Sequence, residues 1–192
     1  IILLYSLQIF SFEANFMSDP AISPDGKTVC FVYMKDLWKV SINGGDAKRL
    51  TNTDADEYSP VFSPDNKWIA FNSNRDGLSK IYIIPADGGL AKLVNDETMT
   101  LQDWFNDGEH LLAIFDTPED DAKYVKININ SKSRSLISEY ADIFANLSMD
   151  NRSIIFNKRG YPYREAYRGS HNGDLFLFDI SKKDYQQLTT TD

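Results

Sequence analysis

The sequence predicts an all-β fold, a β-propeller whose blades are four-stranded antiparallel sheets. The first observation is an internal repeat, in which the aspartate of a recurring tight turn stands at Asp25, Asp65, Asp107 and Asp150, with separations of 40, 42 and 43 residues. Each repeat also contains four short apolar or alternating segments divided by turns, which at a period of about 40–45 residues is typical of propeller blades. The third observation is that no stretch has a helical periodicity of useful length.

We assign the four blades approximately to residues 19–57, 58–98, 99–140 and 141–192. The blades are expected to stack, because a lone blade is apolar on both faces and can bury them only against neighbouring blades. The end of the sequence supplies no evident closing strand. Residues 12–192 are therefore predicted to form one partial domain, an open arc of a larger, six-bladed propeller.

Repeat one shows the order of elements. The turn Ser23-Pro24-Asp25-Gly26 combines a proline that presets the second turn position with a glycine that tolerates positive φ. Strands are predicted at residues 28–32 and 36–40. Asn43-Gly44-Gly45 then indicates a hairpin turn, and residues 47–51 are predicted to form the outer strand, whose charged side chains suit an exposed edge.

The later repeats follow the same order, and repeat two, over residues 58–94, matches repeat one most completely. In the third and fourth repeats the predicted strands are residues 101–104, 111–115, 124–127, 135–137, 143–146, 153–156, 174–178 and 186–189.

The charge of the chain excludes some partners. A net charge of −8 and a sequence pI of about 4.8 argue against a nucleic-acid groove or an anionic membrane surface. The single cysteine, Cys30, lies in an apolar segment, so an internal disulfide is impossible and a buried thiol is expected.

The first residues differ from the rest of the chain. Residues 1–11 carry no charge and are too few to span a bilayer as a helix, but they suit the apolar part of a secretory signal peptide, with Ile9 and Ser11 at a cleavage site. The prediction is a signal-peptide remnant and export to the periplasm. An apolar edge strand or core-packing arm, in a cytoplasmic protein, is the alternative.

The sequence offers no catalytic site. Its histidines are His110 and His171, and there is no Gly-x-Ser-x-Gly elbow, so we predict no catalytic residue. The acidic run at residues 116–121 lacks the spacing and glycine of a calcium loop, and a solvated hairpin tip is expected there. No metal or other cofactor is predicted.

One loop is unusual in this acidic chain. Between residues 158 and 168 it concentrates arginine and tyrosine, which suit the binding of a peptide or protein through bidentate carboxylate contacts and flat apolar area. The alternative is a structural loop whose arginines pair with nearby acids. The candidate binding residues are Arg159, Tyr163, Arg164, Tyr167 and Arg168.

The repeat resembles a known family. Ser23-Pro24-Asp25-Gly26-Lys27, Ile69-Ala70-Phe71 and Arg49-Leu50-Thr51 look like the propeller repeat of the Tol-system periplasmic protein, which also occurs in tricorn-type proteases and some prolyl-oligopeptidase relatives. Asp36-Leu37-Trp38 and the insertion Tyr167-Arg168-Gly169 are similar to the N-terminal propeller of tricorn-like serine proteases. The resemblance covers about residues 15–192.

This resemblance implies a propeller segment without catalytic residues, which filters or conducts peptides and scaffolds a serine protease that degrades oligopeptides. Implied partners are peptides or unfolded polypeptide and the remainder of the same chain, namely a second propeller, a PDZ-like module and a protease core, assembled as a homo-oligomer. Such proteins hold a substrate carboxylate with basic residues near the third blade. Here that place reads Asn95-Asp96-Glu97, so this role is not carried over.

Two other functions stay open. A protein-binding propeller of the Tol-system type would end after about six blades and have no enzymatic activity. A prolyl-oligopeptidase relative would continue into an α/β-hydrolase domain with a nucleophile elbow. The sequence beyond Asp192 distinguishes the three.

Overall fold

The computed structural model describes residues 16–117, 120–142, 144–158 and 174–190. These residues form sixteen β-strands and no helix, and the strands make four separate four-stranded sheets. Within every sheet the strands lie in chain order and neighbouring strands are antiparallel. The predicted fold class, four antiparallel propeller blades, is confirmed.

Blades 1 and 2 have matching strands. Blade 1 consists of β1 (Ser18–Ile22), β2 (Thr28–Tyr33), β3 (Asp36–Ser41) and β4 (Lys48–Arg49). Blade 2 consists of β5 (Glu57–Phe62), β6 (Trp68–Ser73), β7 (Lys80–Pro85) and β8 (Lys92–Leu93).

Blades 3 and 4 repeat the arrangement. Blade 3 consists of β9 (Met99–Trp104), β10 (His110–Thr117), β11 (Asp120–Asn128) and β12 (Arg134–Ser138). Blade 4 consists of β13 (Asn146–Leu147), β14 (Ser153–Lys158), β15 (Asp174–Asp179) and β16 (Asp184–Gln187).

The turns between the first two strands of each blade share one hydrogen-bond pattern. In blade 2 the Ser63 hydroxyl donates to Asp65 at 2.7 Å and accepts from the Trp68 amide at 2.9 Å. Asp65 in turn accepts the Lys67 amide at 3.1 Å. Blades 1 and 4 repeat these contacts with Ser23 and Ser148, so the aspartates of the repeat fix turn geometry, as the sequence predicted.

Three apolar clusters join the blades in order. Leu37 of blade 1 packs with Ile69 and Phe71 of blade 2, and Ala70 on the other side of β6 packs with residues of blade 3. A third cluster lies between blades 3 and 4 and includes Tyr124 and Phe156. No cluster of the described residues joins blade 4 to blade 1, so the four blades form an arc.

Apolar side chains remain uncovered at both ends of this arc. On blade 1, the half-buried Val29 and Val40 and the buried Phe31 line a groove of about 510 Å³ that faces away from blade 2. On blade 4, Ile155 is 37% exposed and Leu175 is 40% exposed. Exposed apolar area of this kind commonly marks an interface.

Some strand predictions were wrong in extent. The outer strand of blade 1 covers only Lys48–Arg49 instead of residues 47–51, and the first strand of blade 4 is Asn146–Leu147 instead of residues 143–146. Phe144 has a φ of +64° and is 66% exposed, so it lies in neither a strand nor the core. The Ala145 amide donates to the Gln102 side chain of blade 3 rather than to a strand partner.

The cysteine is buried, as predicted. Cys30 has no exposed surface and packs between blades 1 and 2. Burial in this apolar cluster raises the pKa of its thiol to about 12. Among the residues that the structure describes, no helix is long and apolar enough to cross a membrane.

Candidate functional site

The predicted binding loop falls outside the described residues, and so do all five of its candidates, Arg159, Tyr163, Arg164, Tyr167 and Arg168. The strands on either side of it are described: β14 ends at Lys158 and β15 begins at Asp174, and these two residues pair across the sheet. This is the side of the molecule that carries the connections between the second and third strands of blades 1 and 2. We call it the loop face.

A groove of about 400 Å³ runs between blades 1 and 2, and its end nearest the loop face holds two arginines. Arg49 comes from the outer strand of blade 1, and Arg75 from the connection after β6 in blade 2. Thr51 and Thr53, in the link between the blades, lie between them, and Ile84 and Leu90 supply apolar wall. This arrangement is the best-built candidate binding site among the described residues.

A buried carboxylate holds the first arginine. Asp36 is 1% exposed and accepts a hydrogen bond from Nη2 of Arg49. The other carboxylate oxygen accepts the Thr51 hydroxyl at 3.1 Å and the Thr53 amide at 3.2 Å. Because the Thr51 oxygen also accepts the Leu37 amide at 2.9 Å, the aspartate connects β3, β4 and the link to blade 2. We call this the aspartate clasp.

The second carboxylate is incompletely satisfied. Glu57 is 2% exposed, and its Oε1 accepts from Nη2 of Arg75 and from the Thr53 hydroxyl at 3.1 Å. Its Oε2 is buried without a hydrogen-bond partner. Burial raises the pKa of Glu57, against the opposing effects of the threonines and Arg75.

Packing fixes the guanidinium of Arg75. Its Nε donates to the Ser73 hydroxyl at 3.0 Å, and its central carbon lies 4.4 Å from the centre of the Tyr82 ring and 5.4 Å from that of Phe71. An arginine held on aromatic faces loses little further conformational freedom when it binds a ligand. Arg75 is therefore organised before a ligand arrives.

The groove presents hydrogen-bond donors without a net positive charge. Each guanidinium contacts its carboxylate through Nη2, and the hydrogen bonds of the described residues leave the second terminal nitrogen of each without a partner. Two buried carboxylates balance the two arginines. The site consequently suits neutral acceptors, such as the carbonyl oxygens of an extended peptide, beside apolar contacts with Ile84 and Leu90.

The side-chain contacts of His110 are structural rather than catalytic. Its Nδ1 lies 2.8 Å from Asp107, in the turn of blade 3, and its Nε2 lies 3.2 Å from the Asn128 amide nitrogen. A catalytic histidine needs a nucleophile within hydrogen-bond reach, and here an amide occupies that place. His171 lies outside the described residues.

Where the structure describes them, the acidic segments of the sequence lie at a strand connection or form ion pairs. β10 and β11 form a hairpin in which Thr117 pairs with Asp120, which places the predicted acidic tip at a strand connection. The described residues hold no group of three side chains that could ligate a metal. At the start of blade 3, Asp96 lies 3.8 Å from Lys80, and Glu97 lies 3.1 Å from Arg134.

Sequence reasoning missed Arg49, Arg75 and their carboxylates as a site. A local signal existed for one half of it: Asp36-Leu37 with Leu50-Thr51 recurs as Asp174-Leu175 with Leu188-Thr189. The structure shows the same contacts in blade 4, where the Leu175 amide donates to the Thr189 hydroxyl at 2.9 Å. No local signal connected Glu57 to Arg75, which are 18 positions apart.

Four antiparallel four-stranded sheets, with the aspartate clasp of blade 1 repeated in blade 4, define the chain as a β-propeller protein. A family model described as the tricorn protease N-terminal β-propeller domain matches residues 14–192. The chain belongs to this family, which confirms the resemblance seen in its repeats.

Related sequences come from several peptidases. The chain is 35% identical to tricorn protease homolog 1 of Streptomyces coelicolor over 69 residues. This stretch makes up 36% of this chain and 6% of that protein. Over 71 residues it is 35% identical to dipeptidyl-peptidase 5 of Porphyromonas gingivalis, 32% of this chain and 10% of that protein. The chain thus spans a small part of these relatives.

Solved structures share the fold at low identity. A putative TolB from Agrobacterium tumefaciens superposes with a TM-score of 0.75 and 19% identity, covering 92% of this chain and 63% of that one. The tricorn protease superposes with a TM-score of 0.68 and 16% identity, covering 92% of this chain and 18% of that one. At such identities the comparison establishes the fold alone.

Proposed function

We propose that this chain is the non-catalytic propeller segment of a tricorn-like serine protease, in which it filters or conducts oligopeptides and scaffolds the catalytic core. The observation that carries the proposal is the family match over residues 14–192. Peptidases among the related sequences support it. The proposed partners are peptides or unfolded polypeptide and the rest of the same chain, with its second propeller, PDZ-like module and protease core, in a homo-oligomer.

We further propose that peptides contact the loop face. The groove between blades 1 and 2 supplies fixed guanidinium donors from Arg49 and Arg75 and apolar wall from Leu90. The loop with Arg159, Tyr163, Arg164, Tyr167 and Arg168 begins and ends at strands that open to the same side. Backbone carbonyls of an extended peptide are the groups that such donors recognise.

Peptide hydrolysis by the full-length gene product tests this function. Variants R49Q and R75Q are expected to raise KM for an oligopeptide of about ten residues while leaving kcat near that of the unmodified protein, because binding is weakened outside the catalytic core. R152Q, at an exposed arginine in the turn of blade 4, is the control.

Either of two results would contradict the proposal. A full-length protein with no peptidase activity would remove the protease assignment. Hydrolysis by the isolated 192-residue chain would remove the assignment of this segment as non-catalytic.

A second candidate function is a protein-binding propeller of the Tol-system type. The observation that favours it is the superposition on the putative TolB structure, which this chain covers over a larger share than it covers of the tricorn protease. This function predicts a gene product that captures a protein partner and hydrolyses no peptide. The superposition on a prolyl endopeptidase structure, with a TM-score of 0.59 and 14% identity, keeps a prolyl-oligopeptidase relative as the third candidate, recognisable by a nucleophile elbow beyond Asp192.

Export to the periplasm is also proposed, on the apolar, uncharged character of residues 1–11. Deletion of these residues from the full-length gene product should retain an exported protein in the cytoplasm. Cell fractionation with and without the deletion measures this, and an unchanged distribution would favour the cytoplasmic alternative.

A further inference from the structure

We propose that Leu90 selects peptides that carry a bulky aliphatic side chain about three residues from the backbone group held by Arg75. This inference rests on the proposed binding of peptides in the groove between blades 1 and 2, and it names the class of peptide that binds there. It concerns the groove alone, so it holds for a protease segment and for a protein-binding propeller alike.

Leu90 is a large apolar residue that the core of the propeller does not use. It lies in the connection between β7 and β8 and is 88% exposed, and it lines the same groove as Arg49 and Arg75. The corresponding turn of blade 1 reads Asn43-Gly44-Gly45-Asp46, so an aspartate stands where blade 2 has Leu90. Single exposed leucines are common on protein surfaces, and it is the position beside a groove with fixed donors that gives this one a role.

The turn that carries Leu90 is fixed by two lysines of blade 1. Nζ of Lys39 donates to the Ala86 carbonyl and to the Asp87 carboxylate, in both cases at 2.8 Å. Nζ of Lys48 donates to the Asp87 carbonyl at 2.7 Å. A side chain presented by a fixed turn needs less ordering when a ligand binds. Leu90 is therefore positioned at the groove before a peptide arrives.

The groove offers apolar contacts to a peptide side chain near Leu90. Leu50 and Ile84 are 8% and 1% exposed, and they line the groove together with Ala91 and Leu90. An aliphatic side chain that packs against these residues removes apolar surface of both partners from water. A polar side chain at the same place loses its water without gaining a hydrogen bond. The contacts therefore favour leucine, isoleucine or methionine in the peptide.

The distance between Arg75 and Leu90 fits a short stretch of extended peptide. The central carbon of the Arg75 guanidinium lies 4.4 Å from the centre of the Tyr82 ring, and Tyr82 pairs with Leu93 across the sheet. Continuing this antiparallel register places Leu90 opposite Pro85, three positions along β7 from Tyr82. Three positions in a strand correspond to about 10 Å. A peptide whose backbone meets Arg75 consequently reaches Leu90 with a side chain about three residues away.

Peptide binding by the full-length gene product tests the role of Leu90. The probes are two dye-labelled peptides of about ten residues, blocked at both ends and long enough to extend from Arg75 past Leu90. One contains a single leucine in a serine-rich sequence, and the other has serine in its place. Prior treatment with a fluorophosphonate blocks a serine nucleophile, so that both peptides stay intact. Fluorescence anisotropy then measures the Kd of each peptide.

The unmodified protein should bind the leucine peptide at least about fivefold more tightly than the serine peptide. L90S, and L90D with the residue that blade 1 has at this position, should each lower this preference below about twofold. R75Q should weaken both peptides by a similar factor and keep the preference, because Arg75 holds the backbone. M149D, at an exposed side chain in a turn of blade 4, is the matched control and should change neither Kd.

The outcomes distinguish failure of this inference from failure of the proposed function. A leucine preference that persists in L90S, or that is absent from the unmodified protein, would overturn the role of Leu90 alone. Unchanged Kd values for both peptides in R75Q and in L90S would overturn peptide binding in the groove and this inference with it. Leucine-selective binding that L90S abolishes, in a full-length protein without peptidase activity, would support the inference and overturn only the protease assignment.

Discussion

At the scale of single residues, the pair of Glu57 and Arg75 combines stability with an unfilled hydrogen-bond acceptor. The carboxylate is almost fully buried, while the arginine side chain keeps 21% of its surface exposed to the groove. A buried ion pair contributes little net stability compared with apolar residues, whereas loss of one partner leaves a costly unpaired charge. The two members should therefore behave very differently when they are removed singly or together.

The variant R75M should destabilise the 192-residue chain by about 2–4 kcal/mol, because it leaves Glu57 buried without a counter-ion. The double variant R75M/E57Q should recover at least about 1 kcal/mol of this loss, since the buried charge is gone. Urea denaturation measures both free energies of unfolding, with the exposed Arg152 replaced in R152M as the control. A double variant that is less stable than R75M would contradict this reading of the pair.

The same glutamate should make stability depend on pH. Burial holds the pKa of folded Glu57 above its ordinary value of 4.5, so the folded protein binds the proton more tightly than the unfolded chain does. Its contribution is therefore most favourable below pH 4.5 and declines as the pH rises through the raised pKa. Thr51, Thr53, Arg75 and Asp36 surround the carboxylate and set the extent of the decline.

The variant E57Q removes this titration. Relative to the unmodified chain, E57Q should become more stable as the pH rises from about pH 4 to pH 7, so that its free energy of unfolding increases in comparison. Urea denaturation midpoints of both proteins, measured across that pH range, test the direction of this change in stability. A constant difference between the two proteins would mean that Glu57 titrates alike in the folded and unfolded states.

At the scale of elements, the turn after the first strand is the best-conserved device among the four blades of this chain. The serine hydroxyl in blades 1, 2 and 4 bridges the turn aspartate and the amide that begins the second strand. Blade 3 has Phe105 at this position, and its Asp107 accepts the Glu109 and His110 amides instead. The serine is therefore one of two solutions to the same backbone requirement.

The variants S63A and S148A should each destabilise the chain by about 1 kcal/mol, the usual net contribution of a hydrogen bond. The Ser63 change should cost at least as much as the Ser148 change, because Ser63 is more deeply buried. S135A, at an exposed position in β12, is the control. Thermal unfolding measures all three, and equal melting temperatures would show that the turn holds without its hydroxyl.

Much of the fold could be predicted from these elements. Proline, aspartate and glycine at fixed offsets determine local turn geometry, so turns and the strands next to them were found from the sequence. The outer strand of blade 1 was overestimated, because its edge pairing ends where the link departs for the next blade. Residues 143–146 were misread since an apolar pair, Ile143-Phe144, resembles a strand, although Phe144 is directed to solvent.

The candidate groove could not be predicted in the same way. Arg49, Glu57 and Arg75 come from an outer strand, an inner strand and a connection in two different blades. Only the stacking of blades brings them together, and stacking geometry leaves no signal in local spacing. The predicted residues Arg159 to Arg168 form a local cluster, which is why composition alone drew attention to them.

At the scale of the whole molecule, the arc is a series of repeated interfaces with an unfilled last member. The start of blades 3 and 4 is held by side chains of the preceding blade: Asn72 bonds β9, and Gln102 and Asp103 accept the amides of Ala145 and Leu147 at 2.9 Å. In repeat architectures, stability is approximately a sum of blade and interface contributions. A residue that matters in a filled interface should then be neutral at the unfilled one.

Asn72 of β6 and Asn157 at the corresponding position of β14 test this within the 192-residue chain. N72A should destabilise it by about 2–4 kcal/mol, because the Met99 carbonyl and Leu101 amide lose their partners in a buried site. N157A should change the free energy of unfolding by no more than about 0.5 kcal/mol, since the oxygen it removes already lacks a partner. Urea denaturation provides both values. A comparable loss from N157A would mean that Asn157 is engaged within these four blades, and blade 4 would then not be an unfilled copy of blade 2.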